Sequence, residues 1–428
     1  MYALAIDLGT TTLAASLIDT VNGERRSMAG AMNPQRRFGA DVVARLDVAV
    51  HSGEVLLEMS AIIRAELLRL GSEVCAKAGI AWSDISQIAI AGNPAMQHIL
   101  LGLPVKSLAF PPYRPLFSCG KTINASELNW PGDASIHIFP MPGGFVGGDT
   151  VAFLYGQSQL TVSVDRVGNS YGSRSPVPGS RLFLDMGTNG EMALVAGDTI
   201  WATSAAAGPA FEGGNLSCGM AALPGAVSAV RIADEKLKIS VIGNVPPRGI
   251  CGSAAIEAAA EMLGCGLLEH TGRLRDAAEI PSNLAARLIV QNDENAFVIY
   301  RDAERLLLLT QSDIRQIQLA KGAIRAGMEV LFDRSGILPG GLEQVVLTGS
   351  FGAVLNPEWL KTVGVFDENM VKNTVFIPEG ALAGAERALC RDGGFKEVES
   401  LAARFRVIPL SGTPLFESLF LNNIDFPM

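Results

Sequence analysis

The sequence predicts an α/β protein of two domains, and three stretches carry that expectation. An apolar strand ending on a carboxylate and a glycine–hydroxyl turn opens the chain at Ala3–Asp19, with Asp7, Gly9, Thr10, Thr11 and Thr12. The same design returns at Leu182–Val195, where Asp185 precedes Gly187, Thr188, Asn189 and Gly190. A third apolar stretch, Gly341–Thr348, runs into Gly349-Ser350-Phe351-Gly352. Apolar runs bounded by glycine turns read as strands. A carboxylate at the end of a buried strand costs free energy unless it is paired, solvated or holding a cation. A turn poor in side chains lets its backbone N–H groups approach an anion. Together they make a holder for a metal–phosphate pair. Two copies, each in a strand–turn–strand frame, point to an internal duplication with two facing phosphate loops. The plainer alternative is two ordinary hairpins with polar turns, and the match over whole hairpins tells against it.

A chain of 428 residues is long for a single core and fits two domains. With 48% hydrophobic and 18% charged residues the composition is that of a folded protein with a large core. A net charge of -9 with no basic block excludes nucleic acid as the expected partner. No apolar run approaches the ~20 residues of a membrane span. The N-terminus has no basic leader and Asp7 interrupts its apolar stretch, so no secretory signal is read and the cytoplasm is the expected compartment. The cysteines, Cys75, Cys119, Cys218, Cys251, Cys265 and Cys390, form no C-x-x-C pair and stand at ligand spacing from no histidine. No zinc or iron–sulfur cluster is therefore expected within this chain. Buried thiols are the simplest expectation. A cluster shared across a dimer axis, with Cys251 as ligand, is the alternative.

Taken in order, a first hairpin (1–19) and a turn near Asn22-Gly23 lead to Asn33-Pro-Gln and then Asp41 before an apolar-periodic helix. Asp41 either caps that helix or belongs to a loop over a cleft or docking surface. Glu54 to Ala78 has helical spacing, Ile85 to Ala91 reads as a strand, and Gly92-Asn93-Pro94 turns into a helix carrying Met96 and His98. His98 is read as a helix-face histidine, with catalysis as the lesser alternative. Residues 104–135 read as an insertion and Ile136–Phe139 as a strand. Gly143–Gly148 precede an apolar helix whose first turn carries Asp149. That carboxylate either complements the helix dipole or orients water at a terminal phosphate. Residues 157–180 are expected as a mobile loop between the halves. Beyond the second hairpin come a strand at Trp201–Ala206 and a glycine-rich connection with Glu212 and Gly213, either a plain turn or a nucleotide contact. A strand at Lys236–Ile242, a helix from Gly252 to Leu263, and a helix from Ser312 to Phe332 follow. Lys321 and Arg325 share a face of the last helix as a solvated pair or as flanks of a bound base. In Asn373–Cys390, Gly384 and Ala385 suit close packing on another helix.

The motifs Asp7-Leu-Gly-Thr-Thr, Asp185-Met-Gly-Thr-Asn-Gly and Gly349-Ser-Phe-Gly resemble the phosphate-1, phosphate-2 and adenosine motifs of the actin, heat-shock chaperone and sugar-kinase superfamily, in family order. Within it the chain most resembles the ATPase region of reductive activators of corrinoid proteins. The phrases that carry this are Asn33-Pro-Gln, Gly39-Ala-Asp-Val, Gly92-Asn93, Gly147-Gly-Asp149, Ala206–Gly213, Gly249–Ser253 and Gln318–Gly327.

The resemblance implies two ribonuclease-H-like (actin-like ATPase) domains flanking an interdomain nucleotide cleft. The first spans 1–158 and is completed by 373–428, a loop spans 159–180, and the second spans 181–372. It further implies an ATPase that drives Co(II) to Co(I) on a corrinoid (cobalamin) partner protein, and a homodimer. Such activators carry an iron–sulfur module at one end. Here electrons are expected from a separate ferredoxin-like donor or from a module not in this sequence. On this basis Asp7 and Asp185 hold Mg²⁺ through waters, while Thr10, Thr11, Thr188 and Asn189 bind phosphate oxygens of ATP beside backbone N–H groups. Asp149 orients the attacking water, and Gly349, Ser350, Phe351 and Gly352 line the adenosine. Closure of the domains on ligand would change the face seen by the partner. The rivals are a small-molecule kinase of the same fold, which needs a closed acceptor pocket, and a nucleotide switch that does not hydrolyse.

Overall fold

A computed structural model describes residues 1–157, 179–349 and 355–428. At its start β1 (Tyr2–Leu8), β2 (Thr12–Asp19) and β3 (Glu24–Met32) form a meander. Then come α1 (Val42–His51), α2 (Gly53–Ala78), β4 (Ile85–Gly92), α3 (Pro94–Leu101), α4 (Lys106–Ala109), β5 (Lys121–Asn124), β6 (Ser135–Ile138) and α5 (Gly148–Gly156). The strands make a six-stranded sheet in the order β3-β2-β1-β4-β6-β5. β1 is central, antiparallel to β2 and parallel to β4. Its Ala3, Leu4, Ala5, Ile6 and Leu8 are fully buried, as a strand with neighbours on both edges and helices against it requires.

Local chemistry sets the helices. The Asp41 carboxylate accepts the Ala44 N–H at 2.8 Å, so this residue caps α1. Ser52 caps α2, which ends where Gly79 takes φ 69. Leu56, Met59, Ile63, Leu67, Leu70 and Val74 recur at helical spacing along α2 and are buried in the core.

Two features of this half were not legible. β3 has a single buried residue, Ala29, and so no alternation to read. The stretch expected as an insertion contains α4 and the edge strand β5, whose Lys121 lies opposite Ile138 of β6. β5 buries Ile123 alone, too little for a pattern.

The second half begins with β7 (Arg181–Met186), β8 (Gly190–Ala196), β9 (Thr199–Ala205), β10 (Ala226–Ala233), β11 (Lys236–Val241), β12 (Gly249–Ile250) and α6 (Gly252–Gly264). It continues with β13 (Leu288–Gln291), β14 (Glu294–Arg301), β15 (Leu306–Thr310), α7 (Gln311–Ser335) and β16 (Gln344–Thr348). The chain ends with α8 (Pro357–Thr362), α9 (Glu368–Lys372), β17 (Thr374–Phe376), α10 (Gly380–Cys390), α11 (Gly394–Ala402), β18 (Phe405–Val407) and α12 (Pro414–Asn422). A second six-stranded sheet has the order β17-β16-β7-β8-β9-β18, and small sheets β11-β10-β12 and β13-β14-β15 accompany it. Past Val227, the β10 edge facing α6 is served by side chains. Glu257 accepts the Val230 N–H at 2.7 Å and Glu261 the Ile232 N–H at 2.9 Å. Burial pushes the Glu257 carboxyl up to about 7.

Contacts divide the chain into two units, one of Met1–Asn169, Val195–Thr203 and Pro378–Ile408, the other of Ser170–Leu194, Ser204–Ile377 and Pro409–Met428. The sequence placed all of 373–428 with the first domain; by contacts 373–377 and Pro409–Met428 lie in the second unit, because β17 pairs with β16 and α12 packs on α7. In the first unit α5 and α10 cross closely. A Cβ at Gly384 would overlap the Ala152 carbonyl, so the small residues of α10 permit the approach. The expected loop at 157–180 falls almost wholly outside the described residues.

Candidate functional site

In the first unit, Asp7 stands near the end of β1, paired with Ala14 of β2 and Ala91 of β4. The strand register thus delivers its carboxylate to the end of the sheet where Gly9, Thr10 and Thr11 turn the chain into Thr12. A Cβ at Gly9 would overlap the Thr12 carbonyl oxygen, so only glycine allows this turn to close. Two asparagines hold the turn. Asn93 Nδ2 donates to Thr10 Oγ1 at 2.8 Å, and Asn33 Nδ2 donates to the Gly9 carbonyl at 2.9 Å. Behind Asn33 lies Arg45, fully buried, with Nη1 3.3 Å from Met96 Sδ and Nε donating to the Gly39 carbonyl. Burial lowers this guanidinium to about 10.

Asp149 occupies the first turn of α5 and accepts the Thr150 N–H at 2.7 Å. A Cβ on Gly147 would come within 2.6 Å of Asn93 Cα, so the start of α5 is pressed against the residue that holds Thr10. Asp149 keeps a partly open face. Burial nevertheless raises its carboxyl to about 6, against the lowering effect of N–H donors led by Thr150. A carboxylate tuned towards neutrality suits a base or a water-orienting group.

His98 is completely buried and fully engaged. Its Nε2 accepts the Leu116 N–H at 3.1 Å, which places the proton on Nδ1, 2.8 Å from the Pro94 carbonyl. Burial lowers its pKa. It fastens the loop after α4 instead of serving as a base, the simpler of the two expectations.

In the second unit, β7 brings Asp185 opposite Thr348 of β16. The turn closes with the Gly187 N–H donating to the Asn189 carbonyl at 3.1 Å, and Gly190 starts β8. The Thr188 hydroxyl donates to the Glu212 carboxylate. Glu212 ends the helical turn Pro209–Glu212, and Gly213 follows with φ 79. Glu212 is thereby joined to the Asp185–Gly190 turn, a contact that the sequence did not indicate.

Lys321 is 1% exposed on α7, with its ammonium bonded to the Asp425 carbonyl and 5.5 Å from the Phe426 ring centroid. Burial lowers it to about 8. The structure thus turns Lys321 towards the C-terminal segment, while Arg325 pairs with Glu329 at 2.8 Å. Gly349 follows β16; Ser350, Phe351 and Gly352 lie outside the described residues.

Asp7 and Asp185 offer carboxylate oxygens, the donor type Mg²⁺ takes, and that ion retains waters and phosphate oxygens and needs no all-protein cage. The donor set fits. Among the described residues, no three His, Cys, Asp or Glu side chains gather as a metal-ligand group. Cys251 is 1% exposed with its sulfur 3.1 Å from Ser253 Oγ, and Cys75 is buried too, but Cys218 and Cys390 are half-buried and Cys119 and Cys265 exposed, so the expectation of buried thiols does not hold for all six. No helix among the described residues is long and apolar enough to cross a membrane.

Comparison with known proteins shows the family of the chain. Two family models match, the RACo middle region over residues 2–160 and the C-terminal domain of RACo, the ASKHA domain, over residues 180–428. The chain is similar to the corrinoid activation enzyme RamQ of Eubacterium limosum, 30% identical over 436 residues, covering 100% of this chain and 70% of RamQ. It is also similar to the reductase of the Co(II) methylated amine-specific corrinoid protein of Methanosarcina barkeri, 25% identical over 466 residues, covering 100% of this chain and 77% of that protein. A solved reductive activator for corrinoid, iron–sulfur protein superposes with TM-score 0.87 at 26% identity; this chain is covered completely and spans 66% of the activator's length.

Proposed function

Because the chain belongs to the RACo family, joining its middle region to its C-terminal ASKHA domain, we propose that it binds and hydrolyses ATP and couples this to reductive reactivation of a corrinoid partner protein, Co(II) to Co(I). The names of its relatives support the partner class. The observation that carries the ATP half is the repeated hairpin, in which β1 and β7 each bring an aspartate to a glycine–threonine turn.

In this reading Asp7 and Asp185 hold Mg²⁺, which neutralises charge on the phosphate oxygens when bound. Thr10, Thr11 and Asn189 donate hydrogen bonds to phosphate beside backbone N–H groups of the turns, and Thr188, whose hydroxyl is given to Glu212, contributes its backbone N–H. Gly187, Gly190 and Gly213 keep the backbone close, Glu212 steadies Thr188, and the Gly349–Gly352 segment lines the adenosine. Asp149, ionised above about pH 6, accepts a hydrogen bond from the attacking water and orients it. Catalysis is then positioning and charge stabilisation, as phosphoryl transfer demands. The cobalt takes one electron, supplied by a ferredoxin-like donor, and hydrolysis supplies the drive. The working unit is a homodimer in the cytoplasm.

The test mixes the protein, a purified Co(II) corrinoid protein, a one-electron reductant and Mg–ATP. The expected result is corrinoid-stimulated phosphate release together with a Co(I) spectrum that requires ATP. Equal cobalt reduction without nucleotide, or transfer of phosphate to a metabolite instead of water, overturns the reading.

A further inference from the structure

Asn93 and Asn33 each use one carboxamide for two tasks. Asn93 Oδ1 accepts the Met96 N–H at 3.0 Å and caps α3, so the amide nitrogen is the atom left to face Thr10 Oγ1, at 2.8 Å. The orientation of this amide is fixed chemically, because a backbone N–H can only donate. Asn33 repeats the arrangement, with Oδ1 accepting the Gln35 N–H at 2.9 Å and Nδ2 donating to the Gly9 carbonyl at 2.9 Å. The Asn33 N–H also donates to the Thr11 carbonyl at 2.9 Å. Both asparagines are buried, at 1% and 5% exposure for Asn33 and Asn93, so these bonds face little competition from water.

The consequences converge on Thr10. A hydroxyl whose oxygen accepts from Asn93 directs its own hydrogen away from Asn93. It is thereby set as a donor, the polarity that a phosphate oxygen, which only accepts, requires. In a trans peptide the carbonyl and the following N–H point to opposite sides. Holding the Gly9 carbonyl against Asn33 therefore aims the Thr10 N–H the other way. One asparagine sets the hydroxyl and the other sets the amide of the same residue.

We infer that Asn93 and Asn33 are positioning residues that fix Thr10 as a two-donor phosphate ligand, acting through the Thr10 hydroxyl and the Gly9–Thr10 peptide respectively. This rests on the proposal that the Thr10 turn binds the triphosphate of ATP.

Asn93→Asp and Asn33→Asp keep an acceptor for each helix cap and remove the donor. ATP affinity is measured by titration in each, alone and combined with Thr10→Val, with the thermal midpoint recorded alongside. Thr10→Val and Asn93→Asp are each expected to weaken ATP by about tenfold, the worth of one hydrogen bond to a charged group. In the Thr10→Val background the Asn93→Asp effect should shrink to what its added negative charge costs near phosphate, since the hydroxyl it acts through is gone. Asn33→Asp acts through the peptide, so its loss should persist in that background. If Asn93→Asp does not fold, the Asn33→Asp pair carries the test by itself. An Asn93→Asp loss that is undiminished without the hydroxyl, or an Asn33→Asp loss that vanishes with it, overturns the inference. Thr10→Val with unchanged ATP affinity instead removes the premise that this turn binds phosphate, and the inference with it.

Discussion

Replacing Asp149 by asparagine separates what this carboxylate costs the fold from what it gives to chemistry. Burial lifts it from its ordinary 3.8 to about 6. The interval corresponds to roughly 3 kcal/mol at about 1.4 kcal/mol for each tenfold change. The partly open face of the side chain reduces this to about 1–2 kcal/mol. For a carboxyl raised in the folded state, the favourable contribution is complete below its unfolded value near 4 and is lost as pH rises through about 6. Asp149→Asn should therefore be more stable than the parent at pH 8 by about 1–2 kcal/mol, and the two should converge below pH 4. Urea unfolding across that range measures it. Hydrolysis should move oppositely. The parent rate should fall as pH drops through about 6, while Asp149→Asn should be slower by about 100-fold or more, with that inflection gone. A parent profile flat between pH 5 and 8, or a variant less stable at pH 8, refutes the assignment.

Asp7→Ala and Asp185→Ala should each reduce phosphate release by about 100-fold or more while circular dichroism shows a retained fold, if each carboxylate serves the metal as proposed; near-parental turnover in either contradicts the metal assignment. Burial lowers Lys321 from 10.5 to about 8, so the protein should gain stability as pH rises from 7 to 10, and Lys321→Met should abolish that gain in pH-dependent melting. Gly384→Ala should cost about 1–3 kcal/mol in denaturant unfolding, since the added methyl meets the Ala152 carbonyl across the α5–α10 crossing.

The frame of this protein was legible because its signals are local. The apolar runs of β1 and β7 and their carboxylate–glycine endings lie within a few residues of one another, and the α2 periodicity spans 26 residues. β3 and β5 were missed because short or half-exposed strands leave little pattern; β10 and the sheet β13-β14-β15 were not read either, although β14 and β15 each bury a run of four residues; β11 alternates only between exposed and half-buried positions, and its edges were nonetheless visible from its flanking turns. Lys321 shows the limit for side chains: helical spacing set it on a face with Arg325, but where its ammonium points was decided by Asp425 and Phe426, over a hundred residues away.

The dipeptide Asn93-Pro94 determined by itself that a helix begins there, since an asparagine oxygen caps a first turn and proline fits the next position; in the structure Asn33-Pro34 and Asn356-Pro357 open helical turns in the same way. What only the tertiary structure decided is that the amide nitrogens of Asn33 and Asn93 reach the Gly9–Thr10 turn. Capping is satisfied within three residues of chain, whereas these donors cross 24 and 83 residues of sequence, distances closed by the pairing of β2 with β3 for Asn33 and of β1 with β4 for Asn93.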